Sequence, residues 1–294
     1  MPRALITGAA GFIGGVLARR LLAAGWEVQV ILRRGSRLDP AGVIAHEHDG
    51  TPEGMVAILE TARPEVVFHL ASLFLTEHQP GDIPALVGSN ILFPLQLVEA
   101  MAVTGARNLV NTGTSWQHFG TDGYRPVNLY AATKQAFEDL LPYYHEARGL
   151  SCTTLKLFDT YGAADPRRKL VRILLEAARS GAPLDLSPGE QVLDLTHVED
   201  VAQAFLDAGA RLLAGPPVLD TFLVSGDRLT VRALADRIQT ALGRPIQGRW
   251  GLRPYRPREV MLPQDPAGRL LPGWAPVRDL GEGLREAYEA LPGQ

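Results

Sequence analysis

The chain has 294 residues, of which 46% are hydrophobic and 21% charged, enough apolar material for a packed core in one large or two medium domains. Its formal net charge of -3 argues against a general nucleic-acid binder, because such proteins carry a basic surplus that meets the phosphates. The single cysteine, Cys152, excludes an internal disulfide and a cysteine-rich zinc site, and we expect no metal centre.

The cysteine count, the length of the apolar runs and the N-terminal residues indicate the cellular compartment of the protein. A lone cysteine fits a reducing compartment. The chain has no run of eighteen apolar residues, and its N-terminus lacks the pattern of a signal peptide. We therefore expect a cytoplasmic protein with no membrane partner.

Short apolar runs alternate with longer helical patterns along the first half of the chain. The predicted strands are residues 4–6, 28–32, 66–68, 108–111 and 153–158, and the predicted helices are residues 13–24, 90–103 and 128–147. Strands that alternate with helices predict an α/β fold, a doubly wound parallel sheet with helices on both faces. After residue 162 the pattern is less regular and proline and glycine accumulate, which predicts a smaller C-terminal lobe.

A glycine-rich run, TGAAGFIG, occupies residues 7–14 between the first strand and the first helix. Gly8, Gly11 and Gly14 can bring the main chain close to a diphosphate, and the N–H groups of Phe12 and Ile13 begin a helix whose positive dipole end faces that anion. We predict a dinucleotide site here. The alternative is a turn that only allows close packing of the helix.

The domain organisation follows from that site. Residues 1–160 are predicted to form the dinucleotide-binding Rossmann domain, with returning elements near residues 190–225. Residues 161–294 are predicted to form mainly a substrate-binding lobe that is interleaved with the sheet.

Arginines stand at the end of the second strand, where NAD-binding domains carry an acid that binds the ribose 2′-hydroxyl. Arg33 and Arg34 suit a 2′-phosphate instead, because their charge and planar donors match an anion. The sequence therefore favours NADP(H) over NAD(H). The alternative is that Arg33, Arg34 and the nearby Arg37 are only solvated loop charges. We expect this of one or two of the three.

Tyr130 and Lys134 are four residues apart on a predicted helix, so their side chains share one face. A nearby ammonium favours the phenolate and so draws the pKa of the phenol toward the working range of a general acid. Thr112, Thr114 and Ser115 follow the fifth strand and offer hydroxyls at the carboxyl edge of the sheet, where open α/β folds bind ligands.

These motifs together resemble the extended short-chain dehydrogenase/reductase family of nucleotide-sugar epimerases, dehydratases and reductases. The resemblance covers almost the whole chain. It implies that Ser115 and Tyr130 hold a sugar carbonyl oxygen, and that Lys134 also binds the nicotinamide ribose. The further cofactor contacts that it implies are Asp49 (facing the adenine), Gly50, Leu70, Ala71, Ser72, Asn90, Thr112 and Phe158. The implied substrate contacts are Ser115, Trp116, Gln117, His118, Asp159 and Arg256.

Two positions favour one reaction over others. The family's dehydratases carry a carboxylate two residues after the catalytic hydroxyl, whereas this chain has Trp116 and Gln117 after Ser115. Neither side chain can act as a general acid or base, so dehydration is disfavoured. Plain hydride transfer remains, and Arg33 favours a reductase that exchanges NADPH.

The segments around Ser115 and Tyr130 resemble the branch of 4-ketoreductases that makes deoxysugars such as CDP-abequose. The implied reaction is NADPH-dependent reduction of a nucleotide-linked 4-keto-6-deoxyhexose. A homodimer is usual in the family; the alternative is that the apolar face of the Tyr130 helix, including Phe137, Leu140 and Leu141, is buried within the monomer. Leu193 stands where many relatives have a diphosphate-binding arginine, and Arg256 occupies the family's second such position. The alternative for Arg256 is a surface salt bridge. Two alternatives stay open: a nucleotide-sugar 4-epimerase, and a non-catalytic sensor of the NADP redox state.

Overall fold

Seven parallel strands form the central sheet of the computed structural model, which describes residues 1–36, 38, 42–265 and 269–292. The described strands are β1 (Arg3–Thr7), β2 (Glu27–Arg33), β3 (Ile44–His48), β4 (Val66–His69), β5 (Asn108–Thr114), β6 (Ser151–Leu157), β7 (Asp159–Tyr161), β8 (Leu184–Leu186), β9 (Val192–His197), β10 (Leu219–Val224), β11 (Asp227–Thr230) and β12 (Gly248–Trp250). The order across the central sheet is β10-β6-β5-β4-β1-β2-β3. Because the order reverses between β1 and β4, a crevice opens there at the carboxyl edge. The predicted doubly wound fold is confirmed.

Helices cover both faces of this sheet. The described helices are α1 (Phe12–Ala23), α2 (Pro52–Ala62), α3 (Ile83–Val87), α4 (Phe93–Thr104), α5 (Leu129–Glu138), α6 (Leu141–Arg148), α7 (Leu170–Ser180), α8 (Val198–Ala214), α9 (Val231–Leu242) and α10 (Leu280–Glu289), of which α7, α9 and α10 belong to the C-terminal lobe. On one face Leu17 of α1 and Phe205 of α8 share a buried cluster with Phe68 of β4. On the other face Leu97 of α4 and Phe137 of α5 share a second cluster. The sheet is thus buried on both sides, as parallel sheets are.

A third apolar cluster builds the C-terminal lobe. It joins Leu174 of α7, Ile238 of α9 and Leu284 of α10 to Leu195 of β9. Two small sheets complete this part of the fold, β11-β9-β7 and β12-β8. Between these elements the chain returns to the central sheet through α8 and β10, while the boundary at residue 160 stays a prediction.

Two differences from the predicted elements have a physical cause. β3 and α2 were not predicted. The sequence of β3, Ile-Ala-His-Glu-His, shows no apolar alternation, because this edge strand is largely exposed and needs no buried face. The single helix predicted over residues 128–147 is divided into α5 and α6. Pro142 lies in the first turn of α6, where its missing N–H costs nothing, but it could not continue a helix that began at residue 129.

One continuous helical run, Pro80–Thr104, is long and apolar enough to cross a membrane by length and composition alone. Leu86, Leu97 and Met101 on this run are fully buried in the fold. A π-helical turn at Gly88–Leu92 interrupts it and brings Asn90 to the inside. Such turns often occur at functional sites.

Candidate active site

The glycine turn has the geometry of a cradle for an anion. Gly8 has a φ of 79°, and a Cβ there would lie 2.6 Å from the backbone nitrogen of Ala71. Gly11 caps α1 without any side-chain hydrogen bond to the helix, and no acidic residue lies in the first turn. The first N–H groups of α1 are therefore free of a competing side-chain acceptor and can bind a diphosphate. These residues fit a dinucleotide cofactor.

A cleft of about 230 Å³ leads from this turn to Tyr130. Its wall includes most of the predicted cofactor and catalytic positions: Gly8, Gly11, Phe12, Ile13, Gly14, Leu70, Ser72, Thr112, Ser115, Trp116, Tyr130, Phe158 and Asp159. The fold therefore brings the glycine turn and the Ser115 and Tyr130 side chains to one continuous cleft.

The predicted 2′-phosphate site lies at the ends of β2 and β3. Arg33 and Arg34 are exposed, and the side chain of Arg34 lies 3.9 Å from that of Glu47. Asp49 accepts hydrogen bonds from the N–H and hydroxyl of Thr51, which lower the pKa of its carboxyl group. Arg37 lies outside the described residues.

Asn90 supports one wall of the cofactor cleft from inside. Its side-chain oxygen accepts hydrogen bonds from the Leu73 N–H at 2.8 Å and the Ser72 hydroxyl at 3.1 Å. Its amide nitrogen donates to the Leu73 carbonyl and to the Thr133 hydroxyl, both at 3.0 Å. The π-helical turn thus connects the segment after β4 to the helix that carries Tyr130.

Tyr130 and Lys134 lie on α5. Asn128 caps this helix by accepting a hydrogen bond from the Ala131 N–H at 3.0 Å, and its amide donates to the carbonyls of Leu75 and Thr76. The ring of Phe74 packs edge-on against Tyr130, with ring centres 5.0 Å apart. The start of α5 is thereby fixed relative to the cleft.

Burial controls the ionisation of both side chains. It raises the pKa of Tyr130 to about 12, and a hydrogen bond with Ser72 and the nearby Arg167 charge offset this effect only in part. The pKa of the phenol therefore lies above its usual value, whereas the sequence predicted a pKa below it. Burial also lowers the pKa of Lys134 to about 8, while the negative charge of Glu138 acts in the opposite direction. At neutral pH the pair is thus a phenol beside an ammonium, which is the state in which a general acid can give a proton.

A larger cleft of about 770 Å³ meets the first one at Trp116, Asp159 and Phe74. The C-terminal lobe supplies most of its wall, and the volume is in the range of small-molecule sites. Arg256 lines it, donates two hydrogen bonds to Glu259 and lies over the ring of Trp116 at 5.7 Å. Leu193 lines it too.

Two predicted substrate contacts face the interior instead. Gln117 is fully buried and donates to Gln135 at 2.6 Å. His118 is 7% exposed and lies 2.7 Å from the Lys156 ammonium. Neither side chain belongs to the walls of the two clefts.

Two further cations, which were not predicted, line both clefts, namely Arg167 and Lys169. Arg167 lies over the ring of Phe12 at 5.0 Å, and Lys169 lies over the ring of Phe74 at 5.2 Å. The only available signal was a basic cluster in the loop after a strand that ends at the carboxyl edge. Among the described residues, no cluster of three His, Cys, Asp or Glu side chains is placed to hold a metal ion.

Several known proteins are similar to this chain. Residues 4–217 match the NAD dependent epimerase/dehydratase family. The chain is 28% identical to the CDP-abequose synthase of Yersinia pseudotuberculosis, over 69% of this chain and 72% of that protein. It is also 28% identical to the dTDP-6-deoxy-L-talose 4-dehydrogenase (NAD(P)(+)) of Kitasatospora kifunensis, over 98% and 95% of the two chains.

A solved structure resembles the whole chain. The UDP-glucose 4-epimerase of Thermus thermophilus, in complex with NAD, superposes with a TM-score of 0.82 at 28% identity and covers 98% of each chain. The similar proteins thus include a CDP-abequose synthase, a dTDP-6-deoxy-L-talose 4-dehydrogenase and a UDP-glucose 4-epimerase.

Proposed function

Because the chain belongs to the NAD dependent epimerase/dehydratase family, we propose that it reduces the 4-keto group of a nucleotide-linked 4-keto-6-deoxyhexose with NADPH, in deoxysugar biosynthesis. The observation that carries this proposal is the position of Ser115 and Tyr130 in the cleft that begins at the glycine turn. The second, larger cleft opens at the same place and has room for the sugar and its nucleotide. The two similar proteins that act on deoxysugars support the substrate class.

The chemistry divides between the cofactor and the chain. A nicotinamide dinucleotide held at the glycine turn by Gly8, Gly11 and the first N–H groups of α1 would supply the hydride for the carbonyl carbon. Tyr130 gives its phenolic proton to the carbonyl oxygen, so that the ketone becomes a secondary alcohol, and the Ser115 hydroxyl holds that oxygen by a hydrogen bond. Lys134 stabilises the phenolate that Tyr130 becomes. The buried position of Lys134, 2% exposed, strengthens this electrostatic support because water does not screen it.

The turn after β5 supports reduction over dehydration. A dehydratase needs an acid near the sugar, but Gln117 is neutral and its amide is bonded to the Thr114 N–H and to Gln135. Trp116 lines both clefts and offers only an indole N–H. No carboxylate in the Ser115–Gln117 turn can therefore remove a proton from the sugar.

The substrate proposal can be tested with 4-keto-6-deoxy sugars carried on dTDP, CDP, GDP and UDP, with NADPH oxidation as the readout. Stoichiometric oxidation with one of them is the expected result. The absence of oxidation with all four would contradict the reductase proposal.

A 4-epimerase is the second candidate function, and the similarity to UDP-glucose 4-epimerases favours it. Such an enzyme oxidises and then reduces the same carbon, so it interconverts two sugars with no net change in NAD(P)H absorbance. Product analysis with UDP-glucose, without added reductant, separates the two candidates.

We propose NADP(H) as the cofactor because Arg33 and Arg34 are exposed at the end of β2. Changing Arg33 to alanine should raise the KM for NADPH by about 10- to 100-fold, the value of one charge-assisted contact with a phosphate. The KM for NADH should change little. Arg19→Ala, an exposed arginine on α1, is the matched control. Equal changes for both cofactors would exclude a 2′-phosphate contact at Arg33.

The pKa values predict how reduction depends on pH. Lys134 loses its proton as the pH rises through about 8, while Tyr130, whose pKa is about 12, stays protonated. The active pair of phenol and ammonium is therefore present below pH 8 and is lost above it. We expect kcat/KM for NADPH oxidation to fall on the alkaline side of about pH 8, and a flat profile up to about pH 10 would show that Lys134 keeps an ordinary pKa.

We also propose that the protein is a cytoplasmic homodimer. Ile83, Val87 and Leu92 on the Pro80–Thr104 run are each more than 40% exposed and form an apolar surface beside α5. Covering such a surface with a second copy would remove it from water. Light scattering in aqueous buffer should give twice the monomer mass, and cell fractionation should recover the protein in the soluble fraction. A monomer in solution would exclude this interface.

A further inference from the structure

Lysine is rare in this chain. Three of its 29 basic residues are lysines, at positions 134, 156 and 169, and the others are arginines. Lys134 is 2% exposed and Lys156 is 6% exposed. An ammonium is smaller than a guanidinium and can change its ionisation when buried. The two buried lysines therefore occupy positions where a compact cation matters, and the proposed reaction uses only the first.

Lys156 forms a buried ion pair with Glu138. Its ammonium on β6 lies 3.7 Å from the Glu138 carboxylate, and both side chains are at most 10% exposed. Glu138 is the last residue of α5, one helical turn after Lys134, so it lies on the same face as the catalytic pair. One carboxylate is thus paired with the buried Lys156 ammonium and lies one helical turn from the buried Lys134.

Gly113 makes room for this ion pair. It lies opposite Lys156 in the pairing of β5 with β6. A Cβ at position 113 would come within 2.7 Å of a Glu138 carboxylate oxygen and 3.0 Å of the Lys156 side chain. The carboxylate can therefore reach the strand only because residue 113 has no side chain.

The ion pair also supports the Ser115 turn from behind. The Lys156 ammonium donates a hydrogen bond to Nε2 of His118 at 2.7 Å, and Nδ1 of His118 donates to the Gly123 carbonyl at 3.0 Å. Since an ammonium can only donate, His118 is neutral, with its proton on Nδ1. The imidazole thus anchors the segment after Ser115 to β6.

We propose that Glu138 and Lys156 are positioning residues of the active site: Glu138 is the counter-charge of Lys134, and Lys156 holds both Glu138 and the segment that follows Ser115. This inference rests on the proposed role of Lys134 as an ammonium. It extends the site from the three residues of the proposed reaction to a buried charge network behind them. Gln117 belongs to the same network: its side chain bonds to the Thr114 N–H and Gln135, and its hydrogen bond to Glu138 lowers the pKa of that carboxyl group against the effect of burial.

The direction of each effect follows from burial and charge. Burial lowers the pKa of Lys134 and the charge of Glu138 raises it. Burial raises the pKa of Glu138 and the charge of Lys156 lowers it. The other titratable groups that face this network are His69 on β4, Tyr130 on α5, Asp139 after α5, Cys152 on β6 and His118 after the Ser115 turn. Removing Glu138, or neutralising it through loss of Lys156, should therefore make Lys134 lose its proton at lower pH.

The low lysine count makes a direct test practical. Protein labelled with ε-13C-lysine should give three lysine side-chain NMR signals, which the variants K156M and K169R assign. The midpoint of Lys134 is expected at about pH 8 in the unaltered protein. In E138Q it should fall by about one pH unit, the size usual for losing an opposite charge at close range. K156M should shift it in the same direction.

The matched control is E146Q, which removes an exposed carboxylate on α6 outside the network and should leave the Lys134 midpoint unchanged. Should E138Q fold poorly because it leaves the Lys156 charge unpaired, the double variant E138Q/K156M removes both charges and preserves the test. An unchanged Lys134 midpoint in the folded Glu138 variants, or an equal shift in E146Q, would overturn the proposal. Because the titration needs no substrate or cofactor, its result is independent of whether any sugar proves to be reduced.

Discussion

Changing Tyr130 to phenylalanine should lower turnover by about 10²- to 10⁴-fold, the usual contribution of a positioned general acid. The ring should keep its place, because its packing against Phe74 at 5.0 Å does not involve the hydroxyl. NADPH binding should change little, since the glycine turn and the end of β2 are untouched. The measurements are kcat for NADPH oxidation and the Kd for NADPH.

Tyr144→Phe is the matched control for this prediction. Tyr144 on α6 is buried, and its hydroxyl donates to Glu99 at 2.8 Å, outside both clefts. This variant should lose about 1 kcal/mol of stability for the missing hydrogen bond and keep its turnover. Full turnover in Tyr130→Phe would exclude the proposed proton transfer. A cellular function that survives the change would favour the redox-sensor alternative.

Changing Gly14 to alanine should damage both the fold and cofactor binding. The new Cβ would lie 2.2 Å from the carbonyl oxygen of Gly8, so α1 would have to move away from the turn that precedes it. We expect a loss of about 1 to 3 kcal/mol of stability, typical of overpacking, and a displaced helix N-terminus that binds the diphosphate poorly. Thermal unfolding and NADPH titration measure the two effects.

The neighbouring glycine provides the control. A Cβ at Gly15 would lie 3.4 Å from the Ala9 carbonyl, an ordinary contact. Alanine there should bind cofactor normally and stabilise α1 by up to about 1 kcal/mol, because alanine favours the helix over glycine. If both variants behaved alike, the close approach of α1 to Gly8 would not be the reason for glycine at position 14.

Several features of the site could be predicted because they depend on residues that are close in sequence. The strand, glycine turn and helix at residues 3–23 form one local unit, and Tyr130 and Lys134 share a face because a helix repeats every 3.6 residues. The doubly wound sheet followed from the alternation of apolar runs with helical patterns. Exposed β3 gave no such signal and was not predicted.

Other features depend on contacts between distant parts of the chain. Arg167 reaches Phe12 across more than 150 residues, and Lys156 meets Glu138 and His118 only because β6 lies beside β5 and under α5. His118 illustrates the difference. Its place two residues after Trp116 predicted a contact with the substrate, but its ring is hydrogen-bonded to the buried Lys156 ammonium and faces the interior.

The sequence by itself determined the chemical groups of this protein and their local order, a phosphate-binding turn and a phenol one helical turn from an ammonium. Backbone periodicity is enough to place such groups on an element. Only the tertiary structure decided which groups share a cleft and which charges are paired behind it, because burial and ion pairing depend on strands and helices that meet only when the whole sheet has formed.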